Sequence, residues 1–298
     1  MSKLRTLTVF FLFLVLTAAR SAHASDDPVP PLAPASPSAS ASAPAPAAAA
    51  AAADDDEGTL DLAEPDYRLI NLPTTLRLPK YKSNFDLTHR FNGNLRQGSF
   101  SDQLSTLFGI DEGATVGFEY RFAVARHLEA AAYRTTFAQT IQLYGKYDVI
   151  HQHDSTPFSV SPLVSIEGTN NFQEQFAPAV GASVSRTIGD FLALYAVPTW
   201  VNNTAAAFGG DHRNTTYLGL GGRLRFRPTV YVVAEVSPRL SGFAPGKALY
   251  GFAIEKRAGL HMFQLNFNNG AATTFAQIAR GGQPNNLQMG FNLARKFY

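Results

Sequence analysis

Cysteine is absent from the 298 residues, which excludes disulfides and thiolate metal sites and suits an exported chain that stays unfolded until it reaches its membrane. Charge is sparse and nearly balanced: 16% of residues are Asp, Glu, Lys or Arg, and the formal net charge is +2. No basic patch stands out, so nucleic acid is not an expected partner. Long apolar runs are missing too. The longest, Leu7 to Ala19, is shorter than the roughly 20 residues a helix needs to cross a bilayer, and nothing later exceeds it. Any membrane insertion must therefore use strands.

The beginning of the chain carries an address. Lys3 and Arg5 precede the apolar run, and Ala22-His23-Ala24 forms an A-x-A cleavage motif, so residues 1–24 read as a secretory signal peptide cut after Ala24. Losing Lys3, Arg5 and Arg20 would turn the formal charge slightly negative. Residues 25–58 are a Pro/Ala/Ser tract with acidic punctuation, too poor in large apolar groups to offset ordering entropy, and are expected to be a disordered periplasmic linker. Residues 59–80 regain Leu, Ile and Pro and are expected to lead into the next domain along its periplasmic rim.

From Tyr81 to Tyr298 the chain alternates apolar and polar residues in segments close to the roughly 9–11 residues of a tilted membrane strand. Strands are predicted at Tyr81–Phe91, Ala114–Ala123, His127–Thr136, Thr140–Ile150, Phe158–Glu167, Pro178–Ile188, Phe191–Val201, Thr216–Phe226, Val230–Ser237, Leu249–Lys256, Leu260–Asn268 and Leu287–Phe297. About twelve strands, an even number, predict an all-β fold: an antiparallel up-and-down transmembrane β-barrel. Connection lengths agree, because the long ones fall on alternate slots and the tight Gly189-Asp190 and Arg227-Pro228-Thr229 turns on the others. Pro162 and Pro198 interrupt predicted strands and imply bulges or strand ends.

The last strand is the most specific signal. Met289, Phe291, Leu293 and Phe297 share one parity, and Gly290 with a terminal aromatic resembles the closing-strand signal of bacterial outer-membrane proteins, read by the barrel-assembly machinery. Tyr298 is one residue beyond that parity.

The outward parity collects aromatics and aliphatics, including Phe85, Phe118, Tyr120, Phe122, Leu143, Phe252, Ile254, Phe263 and Leu265, which would face outer-membrane lipid. The inward parity collects Asp86, Arg90, Glu119, Arg121, Glu129, Lys146, Asp148, Glu167, Arg223, Arg225, Glu235, Glu255, Gln264, Asn266 and Asn292. Arg121 is expected opposite Glu129, Arg225 opposite Tyr231, and Arg223 diagonal to Glu235. These side chains would line the lumen. Their signs nearly cancel, so no field selects anions or cations.

Catalytic and metal motifs are weak. His151-Gln152-His153-Asp154 offers two imidazoles and one acid, fewer ligands than a zinc site at set geometry wants, and reads better as a solvated turn. Gly181-Ala182-Ser183-Val184-Ser185 lacks the final glycine of a nucleophile elbow. His89, on the outward parity, is the sole nominee for chemistry like that of outer-membrane phospholipases, without a serine or acid at a matching spacing. Gly219, Gly221 and Gly222 inside one strand imply tight lumen packing or curvature. Ser101 to Asp111 is expected to form a short amphipathic helix, N-capped by Ser101, that caps the barrel by packing.

Leu76–Phe91 (LRLPKYKSNFDLTHRF), Leu107–Asp111 (LFGID), Leu143–Tyr147 (LYGKY) and His261–Phe267 (HMFQLNF) together resemble a bacterial family described as a membrane-bound β-barrel domain of unknown function. The resemblance runs from about Arg68 to the C-terminus. It implies an outer-membrane barrel and brings no substrate, cofactor or catalytic residue with it. The leading expectation is a narrow channel for passive transport of small polar solutes. The competing one is a structural or partner-binding barrel with a plugged lumen, and the third a lipid hydrolase.

Overall fold

The computed structural model describes residues 61–205 and 213–298. The signal peptide, its cleavage residues Ala22 and Ala24, and the linker lie outside the described residues.

Period-two alternation builds the whole molecule. The strands are β1 (Ser83–Phe91), β2 (Ala114–Ala125), β3 (Leu128–Thr135), β4 (Ile141–Tyr147), β5 (Ser159–Gly168), β6 (Glu174–Ile188), β7 (Leu192–Val201), β8 (Thr215–Arg227), β9 (Val230–Ser237), β10 (Arg239–Ser241), β11 (Leu249–Ala258), β12 (His261–Asn268) and β13 (Gln288–Phe297). Each is antiparallel to its neighbours. β10 resumes β9 after Pro238, whose missing N–H ends the ladder, and pairs with the same neighbour, β8. The wall therefore has twelve staves. β13 pairs with β1 and β8 with β9, so the sheet closes on itself and leaves no open edge.

The predicted strand set matches this barrel closely, with the largest boundary difference at β6, which starts at Glu174 where the sequence predicts Pro178. The prolines produce no register shift. Pro162 pairs with Ala182 in an unbroken register, and Pro198 pairs with Leu218 while β6 and β7 keep their register on either side of it.

Burial is inverted relative to a water-soluble protein. On β3 every second residue is exposed, and the exposed set across the wall is aromatic and aliphatic: Phe118, Tyr120, Phe122, Leu143, Val164, Phe252, Ile254 and Phe263. Trp200 also faces outward. Such an apolar band is stable only against lipid. Among the described residues no helix is long and apolar enough to cross a membrane, so the strands cross it.

The two ends of the barrel differ. One, here the inner end, carries the tight β6–β7 and β8–β9 turns and Tyr298; the other, the outer end, carries the longer loops. Helix α1 (Phe100–Ser105) in the β1–β2 loop begins at Ser99, not Ser101, because Ser99 and Asp102 complete a capping box. None of its residues is buried, so it does not cap the barrel by packing. That role falls to helix α2 (Phe275–Arg280) in the β12–β13 loop, whose Phe275, Ala276, Ile278 and Ala279 are buried against the inner wall.

Candidate functional site

Residues 66–75 do not follow the rim. They form a hairpin inside the barrel. Arg68 and Pro73 pair as an antiparallel bridge, the Leu69 N–H donates to the Leu72 carbonyl at 2.8 Å, and the Thr74 N–H to the Tyr67 carbonyl at 3.0 Å. Tyr67, Leu69, Ile70 and Leu72 are 0–1% exposed. The mixture of apolar and polar side chains, which suits neither lipid nor water alone, is matched by the wall it meets.

The tip of the hairpin leaves successive N–H groups without a strand partner. One carboxylate satisfies them: Glu235 on β9 accepts from the N–H groups of Ile70 and Asn71 at 3.0 Å and Leu72 at 3.2 Å, and from Asn71 Nδ2 at 2.8 Å. The carbonyls are matched from other strands. Gln264 Nε2 donates to Leu69, Asn292 Nδ2 to Ile70, and Arg223 Nη2 to Arg68, at 2.6–3.0 Å. Lys146 Nζ donates to Thr74 and Leu76, Ser183 Oγ to Pro73, and Lys296 Nζ to Pro65. Buried polar groups left unpaired here would each cost about 1–3 kcal/mol, so this matching is what lets a peptide segment occupy a polar lumen.

The Arg68 side chain anchors the first arm. Its Nε lies 3.0 Å from Asp86 Oδ2 and its Nη2 2.5 Å from Glu119 Oε2, with the guanidinium over the Tyr133 ring. The network continues along the wall: Arg121 bridges Glu119 at 2.8 Å and Glu129 at 2.6 Å, and Lys146 reaches Glu129 at 3.3 Å. Arg121 pairs with Ala131 and meets Glu129 as a diagonal neighbour, not as the residue expected opposite it, because the β2–β3 turn is not symmetric about the expected centre. On the far side Arg223 makes a two-pronged contact with Glu255 at 2.8 and 3.0 Å. Arg223 and Glu235 are diagonal in the β8–β9 register, as expected, but Glu235 binds the hairpin and Arg223 reaches past β9 to Glu255 on β11. An amide ladder, Gln264 to Asn266 to Asn268, fills the wall between them, with Arg90 holding Asn292 at 2.7 Å.

Thus Asp86, Arg90, Glu119, Arg121, Glu129, Lys146, Asp148, Glu167, Arg223, Glu235, Glu255, Gln264, Asn266 and Asn292 are all buried on the inside of the barrel. Arg225 differs: it pairs with Tyr231 as expected but lies at the inner rim, half-exposed, beside Pro228 and Asp190. Glu167 faces α2 and accepts from the Ala276 N–H at 3.1 Å. Asp148 lies at the inner end, where Ser161 Oγ donates to it at 2.5 Å and Arg77 comes within 3.7 Å.

The strand glycines explain themselves at this point. A Cβ on Gly219 would lie 2.6 Å from a Leu72 methyl, and one on Gly221 2.5 Å from a Leu69 methyl. Both glycines hold the space that the hairpin leucines fill. At these two positions the predicted tight packing is packing against the hairpin; Gly222 has the opposite parity and lies beside Leu194, away from the hairpin.

From the outer end, α2 completes the occlusion. Thr274 caps it, Phe275 meets Tyr144 edge-on at 5.9 Å, and Arg280 donates to the Thr204 carbonyl at 3.0 Å. Between hairpin and α2, bounded by Arg68, Asn71, Glu119, Arg121, Tyr144 and Phe275, a cavity of about 10 Å³ remains. That is at the limit for one water.

The remaining nominees have local roles. His89 lies between Phe291 and Val116 on the neighbouring strands; its ring stacks on Phe291 at 4.7 Å and touches Phe91 at 4.5 Å, an aromatic cluster on the lipid face. His153 contacts Ser155 and Thr156 within its turn. On β13, Gly290 packs against the His89 carbonyl, Phe291, Leu293 and Phe297 keep the outward parity, and Tyr298 follows at the inner rim.

A closed antiparallel barrel with a lipid-facing apolar band and a lumen occluded from both ends defines a membrane-spanning β-barrel protein. The chain belongs to the family described as membrane bound beta barrel domain (DUF5777), whose model matches residues 66–297 and so includes the hairpin. No curated protein matches the chain. Among solved structures it is similar to a mutant of the Rh. blastica porin, with 12% identity over 61% of this chain and a TM-score of 0.33; the chain spans only 55% of that porin. It is similar to the NanC porin, with 7% identity over 72% of this chain and 99% of the other and a TM-score of 0.47. The COG4313 outer membrane channel from Pseudomonas putida F1 shares 10% identity over 74% of this chain and 97% of the other, with a TM-score of 0.48.

Proposed function

We propose that the protein is an outer-membrane channel for small polar solutes that is held shut, in the state described here, by its own N-terminal hairpin. The observation that carries this reading is the chemistry beneath the hairpin: a lumen lined with carboxylates, guanidinium groups and amides, which is a wall suited to water and polar solutes once the hairpin leaves. Outer-membrane lipid covers the apolar band, and the barrel-assembly machinery reads Gly290, Phe291, Leu293, Phe297 and Tyr298. Neither role requires a cofactor.

A second reading, a structural or partner-binding barrel whose plug never moves, is favoured by the number of hairpin backbone groups already matched by the wall. Planar-bilayer recording separates the two. The intact chain is expected to be silent, and an Arg68→Ala/Asn71→Ala chain, which loosens only the hairpin side, is expected to conduct. Silence in both, with the variant shown to be folded, would favour the permanent plug.

A further inference from the structure

The wall does not hold the hairpin by shape alone. Its donors and acceptors are directed at peptide backbone. Glu235 reads three consecutive N–H groups, while Gln264, Asn292, Arg223 and Lys146 each read carbonyls. These four donors and Glu235 come from strands β4, β8, β9, β12 and β13. A backbone contact is indifferent to side-chain identity, so the arrangement would hold any chain segment that presents the same turn.

Side chains are read too: the Asn71 amide donates to Glu235 at 2.8 Å and accepts from Arg90 Nη2 at 3.0 Å, and the wall meets Arg68, Leu69 and Leu72 specifically. The guanidinium of Arg68 is held by Asp86 and Glu119, a geometry that an ammonium would not reproduce at both carboxylates. Leu69 and Leu72 fill the spaces kept open by Gly221 and Gly219. Removing the hairpin would take Arg68 from Asp86 and Glu119, leaving Glu119 with Arg121, and would take three backbone N–H donors from Glu235. An uncharged solute cannot compensate all three, and a simple cation cannot use the carbonyl-directed donors. A peptide carrying arginine satisfies both sets.

We infer that the lumen is a peptide-binding site occupied in cis, and that its ligand class is an arginine-containing oligopeptide with aliphatic residues one and four positions after the arginine. The inference rests on the channel reading only where it makes such peptides the transported solute; the binding site itself does not require transport.

The test uses the full chain carrying Arg68→Ala and Asn71→Ala and a fluorescent peptide of sequence DYRLINLPTT, the segment Asp66–Thr75, with anisotropy and bilayer conductance measured on the same preparation. Binding of this peptide, with affinity about tenfold weaker when its arginine is replaced by alanine and similarly weaker when the barrel carries Glu235→Gln, is the expected result. No binding, or equal binding of the arginine and alanine peptides, overturns the inference. Should the double variant not fold, a Leu72→Cys chain substitutes: excess peptide is expected to raise maleimide labelling of that cysteine, and labelling unchanged by peptide overturns the inference. Conductance without peptide binding would leave the channel and remove the peptide site. Peptide binding without conductance would leave a peptide-receptor barrel and remove the channel. Silence without binding removes both.

Discussion

Glu235 shows how much one side chain does in this lumen. Its two oxygens are shared among three backbone N–H groups and an amide, so it substitutes for the strand partner that the hairpin tip lacks. Replacing it with Gln keeps the volume but puts an amide NH₂ where N–H donors point. Glu235→Gln is expected to weaken hairpin seating by about 2–4 kcal/mol. Because the chain has no native cysteine, a Leu72→Cys reporter measures this directly: slow maleimide labelling in the parent, and labelling faster by well over tenfold in the Glu235→Gln background. Gly219 supplies the complementary test. Gly219→Val fills the space of the Leu72 methyls, so the hairpin is expected to be expelled while the barrel keeps its heat-modifiable migration on gels, since Gly219 pairs with Val197 within an unbroken β7–β8 register held by backbone hydrogen bonds.

At the scale of elements, the capping expected of the β1–β2 loop helix is performed by a helix in another outer loop. Helix α1 has the stronger sequence signature, a capping box and apolar residues at helical spacing, yet none of its residues is buried. Helix α2 is only six residues long and is positioned by Thr274 at its N-cap, by Glu167, and by Phe275 against Tyr144. Thr274→Ala is expected to destabilise α2 by about 1 kcal/mol. The effect would appear as a larger or noisier conductance in a chain whose hairpin is already loosened, and as no change in the intact chain, where the hairpin still blocks the lumen. The β4–β5 turn at the inner end adds a pH dependence. Burial, and then the nearby Arg77 charge, hold His151 below the ordinary imidazole value, against the opposing fields of Asp148 and Asp61. The folded turn therefore prefers neutral His151: its contribution to stability is fully present above the ordinary value and is lost as pH falls through the lowered one. Limited proteolysis of this turn is expected to accelerate between about pH 7 and about pH 5, and His151→Gln to flatten that dependence.

For the whole molecule, stability and closure are coupled. The hairpin links wall strands that are far apart around the barrel, so deleting it leaves buried ions such as Glu119 and Glu235 short of partners. Breaking a buried ionic contact of this kind typically costs about 3–5 kcal/mol. A chain lacking residues 66–75 is expected to melt at a lower temperature than the intact chain and to show stronger salt stabilisation, both readable by circular dichroism in detergent. A melting temperature unchanged by the deletion would mean that water replaces the hairpin without loss, and that the plug is only loosely seated.

The alternation from Ser83 to Phe297 by itself determined the barrel. A strand's faces repeat every two residues, and lipid outside against a polar interior translates that period directly into sequence, so strand count, register parity and the burial of Asp86, Glu119 or Arg223 follow from local pattern. The family resemblance was legible for the same reason. The hairpin was not. Nothing in Arg68-Leu69-Ile70-Asn71-Leu72 alternates, and what seats it are partners more than 150 positions away, such as Glu235 and Gln264. The partner of Arg223 was hidden likewise, because it depends on what already occupies Glu235. Only the closed ring brings those strands around one segment, and it is their shared polar interior, a property no single strand possesses, that decides whether the lumen is open or filled.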